Sequence, residues 1–183
     1  VRIALTENAT PFEFRMIGPD HPQHVAEWLQ RWPLRKFPLL VDGDRQVVET
    51  SVIVEYLQLA HPGPVQLLPA DPMAALDVRF MDRFFDLHVM NAMQLAVDGA
   101  LTGDPVKRAD GLSLAVDKLE RAYAWLEGEL AGKTWACGEA FTAADISVAY
   151  ALLWARRQGV TVLTPPEQAY IDRVTDRDGF RGA

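Results

Sequence analysis

The chain has 183 residues, of which 49% are hydrophobic and 23% charged, and a formal net charge of −7. That length holds one or two compact domains, and the acidic balance argues against a nucleic-acid partner, which would favour a basic patch. The longest strongly apolar run, 146–155, is too short to cross a bilayer, so no membrane span is expected.

Residues 1–5 read as the last turns of a helix, stopped by Asn8-Ala9-Thr10-Pro11. Phe12-Glu13-Phe14-Arg15-Met16 alternates apolar and polar residues, the period of a strand. A loop at 19–22 and a short helix at 25–32 follow. A hairpin is expected from 39–41 and 46–48, turned by Asp42-Gly43-Asp44. Residues 50–60 form a helix with Ile53, Tyr56, Leu57 and Ala60 on one face. Strands alternating with helices imply a mixed sheet covered by helices. The order lacks one strand at the front, since a leading helix in such a unit follows a strand.

His61-Pro62-Gly63-Pro64 places three helix-incompatible residues after a helix and marks a domain boundary. We therefore divide the chain into a first domain at 1–62, a linker at 63–72 and an all-helical domain at 73–183. Leu76, Phe80, Phe84, Leu87 and the stretch 90–93 recur at helical spacing and read as the core face of one long helix. Leu112, Val116, Leu119, Tyr123, Leu126 and Leu130 mark a second helix. A third runs over 142–157, closed by Gly159 near Arg156-Arg157, and Pro165-Pro166 opens a fourth to about residue 174.

Pro38 stands at the mouth of the first hairpin strand, where a residue that cannot donate to the ladder belongs. A cis bond there would expose the N–H and C=O of Phe37 to an incoming peptide, which could add as a short antiparallel strand. An ordinary trans proline at a strand entrance is the alternative. Glu49-Thr50 sits where the second strand meets a helix. A helix N-terminus offers N–H donors and a favourable dipole, Thr50 a hydroxyl and Glu49 a counter-charge, a set that suits an α-amino acid zwitterion. The position three after Thr50 is Ile53, so no acid closes a capping box; a plain cap by Thr50 or Ser51 is the competing reading.

Thr142-Ala143-Ala144-Asp145, between Phe141 and Ile146, is a capping box with a hydrophobic staple. The single cysteine, Cys137, excludes an internal disulfide framework, fits a reducing and therefore cytoplasmic setting, and reads as a structural thiol. Four scattered histidines show no metal-ligand spacing, so no metal is expected. No secretory leader is visible at the start of the chain. Arg79, Arg83 and His88 lie on a polar helix face, from which one or two could look into a cleft between domains.

Taken together, 36–44, 49–57 and 141–146 resemble the proline hairpin, the Glu-Ser-x-x-Ile-x-x-Tyr-Leu motif and the late capping box of the cytosolic glutathione transferase family. Thr50 replaces the family's serine and keeps the hydroxyl. The resemblance implies an α/β thioredoxin-like N-terminal domain, here with an incomplete mixed sheet, an all-α C-terminal domain, and a homodimer. It further implies that Pro38 is cis, that Phe37, Glu49 and Thr50 contact glutathione as co-substrate, and that Lys36 holds its glycine end. A small electrophile is then expected against the long helix near Arg83, Phe84 and His88. The group that activates the thiol would lie upstream of Val1, leaving 12–16 without a partner strand. The leading expectation is a transferase conjugating glutathione to that electrophile in detoxification. The runner-up is a transferase-like binding or regulatory protein without catalysis.

Overall fold

In the computed structural model, which describes residues 1–157 and 164–182, four helices open on a proline. These are α2 (Pro22–Arg31), α4 (Pro72–Phe84), α6 (Pro105–Leu130) and α8 (Pro165–Thr175). Proline's fixed φ suits a first turn, and its missing N–H is one the helix could not have used. Asp71 and Asp104 complete two of these starts, each accepting an N–H of the first turn at 2.8 and 2.9 Å. The remaining elements are α1 (Arg2–Glu7), β1 (Leu39–Asp42), β2 (Arg45–Val48), α3 (Thr50–Ala60), α5 (Asn91–Leu101), α7 (Ala143–Arg157) and α9 (Asp178–Arg181). Helix α2 starts earlier than the 25–32 expected, because Pro22 is its first residue rather than the end of a loop. Gly159, the expected end of α7, lies outside the described residues.

β1 and β2 pair antiparallel from Leu39 opposite Val48 to Asp42 opposite Arg45. The turn is Gly43-Asp44 alone, with φ of 57° at Gly43, a conformation glycine adopts without penalty. This hairpin replaces the mixed sheet expected. Residues 12–16 form no ladder, and Phe12, Phe14 and Met16 are 41%, 50% and 51% exposed. Alternation specifies which face a strand would bury, but a strand also needs a neighbour to take its N–H and C=O groups. No neighbour stands there among the described residues.

α4 and α5 are continuous through a π-helical segment at Phe85–Met90, giving the single long helix expected but with a wider turn inside it. Its buried face is only partly the expected one, agreeing at 90–93. Ala75, Val78, Met81, Phe85, Val89, Ala92 and Met93 enter the core, while Leu76, Phe80 and Leu87 are more than half exposed. Two apolar stripes share this helix. α7 packs on the first of them, and the second stays outward.

One core runs through the whole molecule, from Ala4, Leu5, Ile53 and Leu57 to Val78, Leu119, Val148 and Ile171. The chain that joins the two halves is pinned to it. Leu67 is fully buried, Gln58 exchanges two 2.7 Å hydrogen bonds with the Leu68 backbone, and Asn8 accepts the Val65 N–H at 2.8 Å. The result is a thioredoxin-like N-terminal part and an all-helical C-terminal part on a common core.

Candidate functional site

The register of the hairpin decides which residues meet. Because Leu39 faces Val48, the residues just outside that pair, Pro38 and Glu49, lie at the same end of the hairpin. The Phe37–Pro38 peptide is cis. Phe37 is 77% exposed, and among the described residues no hydrogen bond engages its N–H or C=O. Lys36 precedes it, exposed, its carbonyl taken by the Trp28 indole N–H at 3.0 Å.

Glu49 is the N-cap of α3 and holds φ 67°, ψ 122°, a left-handed conformation that costs a non-glycine residue about 1–3 kcal/mol. Neither its side chain nor those of Thr50 and Ser51 caps the helix. With Glu49 as N-cap, the position that would close a capping box is Val52, another apolar residue. The first intrahelical bond is Ile53 N–H to the Glu49 carbonyl at 2.9 Å. The N–H groups of Thr50, Ser51 and Val52 are thus unused among the described residues. A helix start with free donors and an exposed acid beside it can take both charges of a zwitterion.

The opposite wall comes from α4 and α7. Arg83 donates to the Ser51 hydroxyl, and Arg79 grips Glu55 through two bonds of 2.8 and 3.1 Å. Ser147 donates to Asp82 at 3.0 Å. A narrow cleft opens between these groups, with Thr50, Ser51 and Val1 on one side and Ala143, Ile146 and Ser147 on the other. Burial pushes the Asp86 carboxyl up, helped by Asp82 and opposed by Arg83, with Glu49 also raising it.

Of the residues singled out from sequence, Phe37, Pro38, Glu49 and Thr50 share one edge, with Lys36 next to it and Arg83 facing it across Ser51. Phe84 and His88 open instead onto a groove of about 390 Å³ between the long helix and α6. There the Phe84 ring lies 4.2 Å from Trp125 and 5.3 Å from His88, centroid to centroid. Three contacts were not read from the sequence: the Ser51–Arg83 pair, the cleft position of Asp82, and a clasp at the far end of the hairpin. In that clasp Asp42 accepts from Tyr56 at 2.7 Å and meets His61 at 2.5 Å. These bonds, His61 first and Tyr56 second, hold the Asp42 carboxyl below its ordinary range. Cys137 takes no part in the site; burial first, then the charge of Asp145, pushes its thiol up to about 12.

Residues 1–65 match the family described as Glutathione S-transferase, N-terminal domain, and residues 94–182 that described as Glutathione S-transferase, C-terminal domain. Glutathione S-transferase U2 of Arabidopsis thaliana is 29% identical over 135 residues, covering 73% of this chain and 55% of that protein. A stringent starvation protein A homolog of Coxiella burnetii is 27% identical over 188 residues, covering 100% of this chain and 84% of the relative. A crystal structure of a glutathione S-transferase from Methylobacterium radiotolerans, in complex with glutathione sulfonate, superposes with a TM-score of 0.79 at 29% identity, over 98% of this chain and 85% of that one. The chain spans 55%, 61% and 60% of the lengths of three plant glutathione transferases that it matches.

Proposed function

Because the chain belongs to the glutathione S-transferase family, we propose that it holds glutathione at the start of α3 and serves to transfer the glutathione thiol to a small electrophile. In this reading the γ-glutamyl carboxylate takes the free N–H groups of Thr50 and Ser51 with the Thr50 hydroxyl, and Glu49 neutralises the ammonium. The N–H and C=O of Phe37 pair with the middle of the tripeptide as a strand would, and Lys36 meets the glycine carboxylate. The electrophile lies on the α4 side, where Arg83 stands. The observation that carries the proposal is an uncapped helix start with Glu49 held at φ 67°, at the same end of the hairpin as the unengaged backbone of Phe37. Glutathione sulfonate bound to the Methylobacterium relative supports the same class of ligand.

The test is binding and then turnover. Calorimetry should detect glutathione, with Glu49→Ala and Thr50→Ala each at least about tenfold weaker, since each removes a charged or charge-paired hydrogen bond. Unchanged affinity in both variants sinks the site. A conjugation assay then separates an enzyme from a protein that binds glutathione without turnover. We further propose a cytoplasmic homodimer that covers the exposed stripe of Leu76, Phe80 and Leu87 with Trp125. Sedimentation equilibrium of Phe80→Glu, expected monomeric, tests that assembly.

A further inference from the structure

Both walls of the interdomain cleft trace back to one guanidinium outside it. Glu7, the last residue of α1, has a side chain only 5% exposed. Its carboxylate accepts from Arg177 Nε at 3.0 Å and Nη2 at 2.6 Å, and from the Gly179 N–H at 3.2 Å. Gly179 leaves room for this seat, since a Cβ there would stand 2.5 Å from Glu7 Cγ. The same guanidinium lies 3.9 Å over the Phe141 ring and 5.5 Å from that of Trp135.

The two groups it grips belong to opposite walls. α1 carries Val1 at its other end, about 9 Å away at 1.5 Å per residue, where Val1 lines the cleft beside Thr50 and Ser51. Phe141 leads into α7, whose Ala143, Ile146 and Ser147 form the facing wall. A planar group that makes two bonds to a carboxylate and stacks on an aromatic ring is a task for arginine rather than lysine. Remove it and Glu7 is a buried charge without a cation. The carboxylate then turns toward water and carries its end of the helix with it.

We propose that Arg177 is a positioning residue: through Glu7 and Phe141 it fixes α1 against α7, and so sets the width of the cleft at the Thr50 site. This rests on the reading that glutathione binds there. The test uses the full chain with glutathione sulfonate, which contains no thiol and so reports binding apart from thiol ionisation. Arg177→Met should weaken binding about tenfold, with faster amide exchange in α1 and at 141–147 but not in α6. Arg177→Lys should restore only part of the loss. Gly179→Ala displaces the Glu7 carboxylate without removing a charge and should act in the same direction, more weakly; it decides the matter if Arg177→Met does not fold. Leu126→Ala, in the core of α6, should lower thermal stability without changing affinity. Wild-type affinity in Arg177→Met and Gly179→Ala overturns the proposal, as does exchange that quickens everywhere alike. A wild-type chain that binds no glutathione sulfonate instead overturns the functional reading, and the exchange pattern then judges the hold of Arg177 on Glu7 and Phe141.

Discussion

Threonines stand at the starts of three helices of this molecule, and those starts are finished in opposite ways. At the start of α7, Asp145 is fully buried and accepts from the Thr142 N–H at 2.8 Å, the Ala136 N–H at 2.7 Å, the Tyr170 hydroxyl at 2.5 Å and the Thr142 hydroxyl at 3.3 Å. α8 repeats the arrangement, with Glu167 reaching back to the Thr164 N–H at 2.7 Å. At the start of α3 no side chain turns back, Val52 occupies the box position, and Glu49 is held at positive φ. Each unpaired donor at a helix start must find a partner in protein or solvent. Where the protein supplies the partner, the start serves folding; where it leaves the donors open beside an acid, they stay free for the ligand we propose there. Donors already used by a cap are lost to a ligand, so the contrast assigns the two ends different tasks.

The largest effect should come from closing nothing and opening the closed end. Asp145→Ala leaves two buried N–H groups and two buried hydroxyls without their carboxylate and should cost about 3 kcal/mol in urea denaturation. Glutathione affinity of the folded fraction should not change. Cys137, neighbour of the Ala136 amide that Asp145 holds, should then alkylate faster than its burial permits in the native chain. A stability loss below about 1 kcal/mol breaks the comparison from the folding side.

Glu49→Gly should move two quantities in opposite directions. Glycine adopts φ 67° without strain, so thermal denaturation should report about 1 kcal/mol of added stability. Glutathione affinity should fall at least about tenfold as the counter-charge is lost. Both changes falling together would mean that the strained start is structural. Val52→Glu is the converse, converting the open start into a closed one. It should add a few tenths of a kcal/mol and weaken glutathione binding roughly threefold, measured by the same calorimetry.

The smallest effect concerns the clasp at the far end of the hairpin. The hydrogen bonds from His61 and Tyr56 keep Asp42 below its ordinary pKa, against a smaller opposing effect of burial. A carboxyl lowered by folding contributes stability above its unfolded pKa and loses it as pH falls through the folded value, so the loss belongs below about pH 4. Asp42→Asn should flatten that part of an acid denaturation curve and leave the curve above pH 5 parallel to wild type. An unchanged acid limb would show that the clasp is not formed in solution.

Punctuation was what the sequence conveyed well. Gly43, Pro165 and the Thr142–Asp145 pair act within a turn of themselves, so hairpin and helix ends could be placed from local chemistry alone. Glu49, Thr50 and Pro38 were legible for the same reason, each being a feature of an element boundary. Partners were not legible. The alternation at 12–16 is a sound strand pattern with nothing beside it. Leu76, Phe80 and Leu87 have helical spacing, yet spacing cannot say which of two apolar stripes a neighbouring helix will cover. Arg177 and Glu7 lie 170 positions apart, and neither carries a local signal of the other. Ser51 met Arg83 only once α3 and α4 had docked.

The pinned crossing at Asn8, Gly63 and Val65 bears on how the molecule comes apart. A Cβ at residue 63 would stand 2.5 Å from the Asn8 side chain, so the chain passes between the halves at the closest approach a backbone permits. With Leu67 and Leu68 buried in the shared core, neither half can loosen without exposing apolar surface of the other. The two halves are distinct in topology and a single unit in calorimetry: one endotherm, not two, with the linker among the last segments to exchange its amides rather than the first.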